Sequence, residues 1–143
     1  MEVRKQNLQL ENFSISCPIS LPCHAFALGI WQDYCIGDLI GTMVDSHVPD
    51  FELLEILEKE LQLFDLSLTE VDYEDISNLC TANRVILITR MMTPCRDYHF
   101  YLFLPTGKVA HKLRNFLPTV SNRPELVRGE YVLGSYMVKR IQA

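Results

Sequence analysis

The spacing of apolar side chains predicts one long amphipathic helix near the middle of the chain. Apolar residues recur at helical intervals across residues 50–64, and Pro49 suits a first turn because no backbone N–H is needed there. One face of this helix consists of Phe51, Leu54, Leu57, Leu61 and Phe64, widened by Leu53 and Ile56. A stripe of this width requires a covering layer, so we expect the helix to pack against a β-sheet.

Four short apolar runs predict the strands of that sheet. Residues 84–90 are rich in β-branched side chains, which is typical of a central strand. Residues 98–104 form a second run, and a turn through residues 93–97 makes the two into a hairpin. Residues 24–31 and 131–138 predict the first and last strands of the core.

A second helix is predicted to begin after Thr106 and to end before Pro118. Its apolar face would consist of Val109, Leu113, Phe116 and Leu117. From residue 24 the order is then strand, helix, strand, strand, helix, strand, which is the βαββαβ order of ferredoxin-like sandwiches. The sequence therefore predicts an α+β fold in which helices pack on one face of an antiparallel sheet. Residues 32–49 and 65–83 are longer connections than that fold requires.

Size and composition predict a single globular domain over residues 1–143. Hydrophobic residues make up 48 % of the chain and charged residues 22 %, a balance that excludes a disordered or low-complexity class. Within this domain, residues 24–143 would form the α+β core. Residues 1–23, interrupted by Pro18 and Pro22, would form an N-terminal arm or edge strand.

Cysteine usage and the lack of long apolar stretches indicate the compartment. The five cysteines are an odd number without regular spacing, so we expect reduced thiols rather than a disulfide framework. The polar residues 1–7 do not resemble a secretory signal, and no apolar run is long enough to span a bilayer. We therefore expect an intracellular protein, in the cytoplasm or nucleus, without a membrane partner.

Charge is divided unevenly along the chain despite a modest net charge of −5. Residues 45–76 carry eleven carboxylates and one lysine, whereas residues 106–143 carry seven Lys and Arg against two Glu. Two such regions can steer partners or pair between copies of the same chain. They can equally neutralise each other within one fold.

No motif in the sequence compels a reaction, a metal or a cofactor. Cys17, Cys23 and His24 lie close together, and Cys95 precedes His99 by four residues, but two tight ligand pairs of the kind that structural zinc needs are missing. Nucleophile elbows, phosphate-binding glycine loops and zinc-protease helices are absent as well. The glutamates of residues 50–64 are interpreted as the solvated face of the helix. We expect no metal, no cofactor and no catalytic residue.

One segment points to nucleic acid. Arg96, Tyr98, Phe100 and Phe103 fall on a strand in the predicted βαββαβ order, and this run resembles the RNP1 pattern of RNA-recognition motifs. The resemblance implies that Tyr98 and Phe100 stack on bases, with Phe26 as a third aromatic contact. Basic side chains of residues 106–140 would then contact phosphates, although an acidic protein surface or solvent would suit them too.

The leading hypothesis is a non-enzymatic protein-interaction or assembly module, self-associating or serving as an adaptor subunit of a complex. It rests on the segregated charge, the missing catalytic constellation and a strand, residues 98–104, that is apolar on both faces. The partner would be another protein or a second copy of this chain. The candidate partner-binding residues are Tyr98, Phe100, Tyr101, Lys108, Lys112, Arg114 and Arg140. The alternatives are a single-stranded RNA- or DNA-binding domain and an enzyme with an unrecognised site.

Overall fold

The computed structural model describes residues 2–92 and 97–141, and a six-stranded antiparallel sheet is the central element of these residues. The strands run in the spatial order β1-β6-β2-β3-β4-β5, so β1 and β5 are the edges. Their bounds are β1 Leu66–Glu70, β2 Arg84–Met91, β3 Tyr98–Phe103, β4 Val109–His111, β5 Thr119–Ser121 and β6 Glu130–Arg140.

The β2 strand lies inside the sheet, and this position explains why most of its residues are apolar. It pairs with β3 on one side and β6 on the other, and Ile86 is opposite both Leu102 and Tyr136. Side chains alternate between two faces, each of which is covered by apolar groups. A strand buried on both faces needs an almost continuous apolar run, which residues 84–90 supply.

Three helices cover the two faces of the sheet unequally. Helices α1 (Cys23–Leu28) and α2 (Asp50–Leu63) pack on the face of Ile86, hereafter the first face. The short helix α3 (Ile76–Leu79) packs on the opposite, second face, against Val85 and Leu87. Single 3₁₀ turns occupy Lys5–Asn7, Asp38–Ile40 and Tyr73–Asp75.

The α+β class and the antiparallel sheet are confirmed, but the ferredoxin-like arrangement is not. The segment at residues 24–31, predicted as a strand, is mostly helix α1, which ends at Gly29 with φ +77°. Three strands, β4, β5 and β6, follow β3, where the ferredoxin-like order has one helix and one strand. The tertiary position of this segment decides its structure, because a short apolar run fits a buried helix as well as a buried strand.

The predicted helix after Thr106 is wrong. Val109 and Ala110 are buried on opposite faces of β4, where they pair with Phe103 and Leu102. A loop follows in which Asn115 adopts φ 66°, a conformation that no helix contains. Residues Leu113, Phe116 and Leu117, expected in the core, are exposed as a result.

The long helix is confirmed as α2, with its buried face turned from the predicted one. Leu57 and Leu61 are buried as expected, whereas Phe51 is 72 % exposed. Glu60, interpreted from the sequence as solvated, is buried, and its carboxylate accepts hydrogen bonds from the N–H groups of Gly37 and Leu39, each at 2.8 Å. Burial raises the pKa of Glu60, and these hydrogen bonds partly oppose the shift.

Most of residues 2–48 are irregular and lie over the first face, where buried cations hold them. The guanidinium of Arg84, on β2, donates to the carbonyls of Phe26 and Ala27 at the end of α1, at 2.9 and 2.7 Å. It also donates to carbonyls of Gln9 and Asn12 in the N-terminal arm. One side chain therefore joins the central strand, the first helix and the arm.

The cysteines of the described residues form no disulfide bonds. Cys17, Cys23, Cys35 and Cys80 are free thiols, and Cys95 lies outside the described residues. The turn predicted at residues 93–97 also lies largely outside them. None of the helices formed by residues 2–92 and 97–141 has the length and apolar character needed to cross a membrane.

Replacing Arg84 with leucine should destabilise the fold strongly. The carbonyls of Phe26 and Ala27 would lose their partner inside the protein, and each buried carbonyl left unsatisfied costs about 1–3 kcal/mol. Arg140→Leu is the matched control, because Arg140 makes an exposed ion pair with Glu11 and such pairs contribute at most about 1 kcal/mol. Urea unfolding of both variants measures the difference. Equal losses would show that the carbonyl contacts of Arg84 contribute little.

The buried His24 ring should make the fold sensitive to acid. His24 packs edge-on against Tyr34 at 4.7 Å, and neither ring nitrogen has a hydrogen-bond partner among the described residues. Burial lowers the pKa of His24 from 6.5 to about 3, with a smaller contribution from the positive charge of Arg114. Between pH 6.5 and 3 the unfolded chain therefore binds a proton that the folded chain does not, so the unfolding free energy falls as pH falls through this window.

The test compares unfolding free energies at neutral pH and at about pH 4.5. His24→Phe should show a smaller acid-induced loss than the wild type, whatever its stability at neutral pH. His47→Phe, at an exposed position, is the control and should retain the full loss. An unchanged loss in His24→Phe would mean that His24 does not contribute to it.

Candidate functional site

The aromatic residues predicted to bind a partner do not share one surface. Phe100 is fully buried on the first face beneath α1, and Tyr98 is half-buried on the same face. Tyr101 is buried on the second face. Phe26, the predicted third stacking residue, is buried in α1, and Arg96 lies outside the described residues. These aromatic rings therefore contribute to packing, and Phe100 offers no exposed ring to a base.

The predicted basic residues are also dispersed. Lys108 is exposed in the turn before β4. Lys112 is buried, and its ammonium group donates to the carbonyls of Ile19, Leu21 and Leu113. Arg114 forms an ion pair with Asp33, and Arg140 pairs with Glu11 at 3.0 Å. Lys112 thus has a structural role in this fold, which the sequence pattern did not indicate.

A polar cluster on the second face links β2, β3, β4 and β6. His99 Nε2 and His111 Nδ1 are 2.8 Å apart, so these rings share a hydrogen bond. The Tyr101 hydroxyl donates to Glu130 Oε2 at 2.8 Å, and the Thr89 hydroxyl donates to the same oxygen. The N–H of Val127 binds the other carboxylate oxygen at 2.9 Å. The cluster therefore satisfies most of its polar atoms internally.

The electrostatics of this cluster favour one charge state near neutral pH. Burial, and to a smaller extent the adjacent His111, lowers the pKa of His99 to about 4. Burial also lowers the pKa of His111. Burial would raise the pKa of Glu130, but the hydrogen bonds from Thr89, Val127 and Tyr101 outweigh it, and the net shift is downward. Neutral imidazoles beside an ionised carboxylate are the result.

The polar cluster contains no thiol, and its two hydroxyls, those of Thr89 and Tyr101, both donate to the carboxylate of Glu130. In residues 2–92 and 97–141, no group of three His, Cys, Asp or Glu side chains is arranged to hold a metal ion. The cluster instead fixes the ring of His111, which forms part of the wall of a neighbouring groove.

An open apolar groove lies beside the edge strand β5. Its volume is about 540 Å³, and four of its apolar side chains are between 51 % and 76 % exposed. The lining residues are Ile19, His111, Leu113, Asn115, Phe116, Leu117 and Thr119, and this surface is named the Leu113 groove. Single exposed apolar residues are common on protein surfaces, whereas exposed apolar patches larger than a few hundred Å² are typical of interaction sites.

Backbone hydrogen bonds hold the loop that carries the groove. Asn115 N–H donates to the Ile19 carbonyl at 2.9 Å, which attaches the loop to the N-terminal arm. The Phe116 N–H donates to the Leu113 carbonyl at 3.1 Å. The buried ammonium of Lys112 binds carbonyls on both sides of this junction. The loop is therefore anchored at its base while its apolar side chains point away from the core.

Exposed cations lie at the other end of the β4–β5 pair from the groove, about 10–13 Å along the strands from His111 and Thr119. Lys108 and Arg123 line an adjoining polar pocket together with Val120, Ser121, Asn122 and Glu125. Glu125 is the one carboxylate of that pocket. Since β5 continues from Thr119 in the groove to Ser121 in the pocket, apolar and positive surfaces adjoin each other. This combination suits an apolar group flanked by negative charge.

A smaller cleft of about 300 Å³ lies on the second face between α3 and β4. Phe103 and Val109 form its floor, and Tyr73 packs edge-on against Phe103 at 6.2 Å between ring centres. These floor residues are already buried in the core of the second face. The Leu113 groove therefore exposes more apolar surface that a partner could cover.

The Leu113 groove is the feature that sequence reasoning missed. Helical spacing placed Leu113, Phe116 and Leu117 in the core, and the signals against a helix were the loop-forming Asn115 and Pro118. The groove nevertheless brings four exposed apolar side chains together, those of Ile19, Leu113, Phe116 and Leu117. Comparison of the chain with known protein-family models, curated proteins and solved structures finds no match in any of the three.

Proposed function

We propose that this chain is a protein-interaction module that binds an apolar segment of another protein, or of a second copy of itself, in the Leu113 groove. The observation that supports this function is an anchored loop that exposes Leu113, Phe116 and Leu117 beside Ile19 of the N-terminal arm. An anchored loop that presents apolar groups to solvent needs little ordering when it binds, and this lowers the entropic cost of association.

The energetics favour apolar contacts at this site. Covering a Leu or Phe side chain contributes about 1.5–3 kcal/mol, so even two such contacts suffice for measurable binding. Aromatic and large aliphatic residues are typical of the centres of protein interfaces, with charged residues at the rim. Lys108 and Arg123 lie one short strand length from the groove, where a partner that extends along β5 would meet them.

The nucleic-acid alternative has less support from the same geometry. Binding of single strands relies on exposed aromatic rings next to cations. Phe26 and Phe100 are buried beneath or within α1, and Lys112 is occupied by three backbone carbonyls. A protein partner makes better use of the exposed groups that remain.

Peptide selection tests the proposed function directly. A library of random displayed peptides, selected on the wild-type protein, should yield binders with apolar anchors whose affinities are then measured by fluorescence anisotropy. The Leu113→Ser/Leu117→Ser variant should bind these peptides at least about tenfold more weakly, because two covered apolar side chains are lost.

Met43→Ser is the matched control, because Met43 is an exposed apolar residue (82 %) outside the groove. It should retain full binding, and both variants should unfold at the wild-type urea concentration within error because all three positions are exposed. Peptides that bind the double variant as tightly as the wild type would refute the groove as the binding site.

A further inference from the structure

Another exposed apolar side chain, that of Phe51, lies on a surface that carries negative rather than positive charge. Phe51, in the first turn of α2, is 72 % exposed. Glu52, Glu55 and Glu58 on the same helix are exposed as well. Because residues at i, i+4 and i+7 share one face of a helix, Glu55 and Glu58 follow Phe51 along the helix surface. Lys59 pairs with Glu55 at 3.2 Å, but the three glutamates leave this surface negative overall. Phe51 is thus an apolar group on a negative surface, which complements an apolar groove that has cations along the adjoining strands.

Phe51 cannot enter the Leu113 groove of its own chain. Its neighbour Asp50 contacts Arg90 on β2 and Tyr131 on β6. Three strand spacings separate β2 from β5, which is about 14 Å at the usual 4.8 Å per strand. A phenylalanine side chain cannot span this separation, so Phe51 does not reach the groove of its own chain.

We infer that Phe51 of one copy inserts into the Leu113 groove of a second copy, with the acidic face of α2 opposite Lys108 and Arg123. This inference rests on the proposed function, and it names the occupant of the groove. The acidic residues 45–76 and the basic residues 106–143 then meet between chains, in the interface.

An interface that joins two different surfaces is heterologous. Each chain in a pair still has one free Phe51 and one free groove, so association continues beyond the dimer or closes into a ring. Its charged rim is exposed to solvent, so association weakens as salt shortens the Debye length below about 8 Å. The apolar contact itself is not screened.

Complementation between two single variants is the decisive experiment. Phe51→Ser lacks the inserted side chain but keeps the groove, and Leu117→Ser weakens the groove but keeps Phe51. By sedimentation velocity, the wild type should increase in mass with concentration, and each variant alone should associate at least about tenfold more weakly. An equimolar mixture should form heterodimers and no larger species, because one intact interface remains per pair.

Charge reversal provides a second, independent test of the same contact. The Glu52→Lys/Glu55→Lys variant and the Lys108→Glu/Arg123→Glu variant should each self-associate more weakly than the wild type, and an equimolar mixture of the two should recover association because opposite charges then meet at every contact. Met43→Ser again serves as the control and should associate like the wild type.

The outcomes separate this inference from the proposed function. A wild type that remains monomeric at all concentrations, or association that survives in Phe51→Ser, overturns the insertion of Phe51. Binding of selected peptides to the groove would in either case still support the proposed function. If association is lost in both variants but their mixture does not form dimers, the contact is not the head-to-tail pair described here and the inference is overturned.

Discussion

The guanidinium of Arg84 holds the irregular first third of the chain against the sheet. It lies on the central strand β2 and donates to carbonyls of α1 and of the N-terminal arm. Burial lowers the pKa of Arg84 to about 10, and the group therefore stays charged near neutral pH. Backbone carbonyls accept its hydrogen bonds, and the carbonyl dipoles at the end of α1 stabilise the charge. Arg84 therefore holds α1 and the N-terminal arm over the first face of the sheet.

Lys112 is a second buried cation that binds backbone carbonyls, near the β5 edge of the sheet. Here the segment that it holds exposes its apolar side chains to solvent. Its ammonium binds the carbonyls of Ile19, Leu21 and Leu113, which joins the end of β4 to the N-terminal arm. The chain leaves this junction through Asn115 in a left-handed conformation. The apolar residues that follow cannot turn back to the core, and they form the Leu113 groove. A structural cation thereby creates the candidate binding site.

The charges of the chain divide into two groups with different roles. Arg84, Lys112 and Glu60 are buried and bind backbone groups, so they stabilise loops that have no regular structure. Glu52, Lys108 and Arg123 are exposed, and Glu55 forms an exposed ion pair with Lys59; surface charges of this kind steer association and do not hold loops. A count of charges along the sequence does not separate the groups, because burial of a charge depends on which carbonyls or N–H groups the fold brings near it.

Local patterns determined the elements whose burial is continuous along the sequence. The β-branched run of residues 84–90 specified a central strand, and the apolar spacing of residues 50–64 specified the length of α2, because these signals come from the residues themselves. The tertiary structure alone decided the remainder. Residues 24–28 are helix rather than strand because they pack across β3. Residues 109–111 and 119–121 pair as β4 and β5 because Phe103 and Leu102 offer a free edge. The groove depends on contacts between Lys112 and residues about 90 positions earlier in the chain. The spacing of apolar residues predicts local elements and not such long-range contacts.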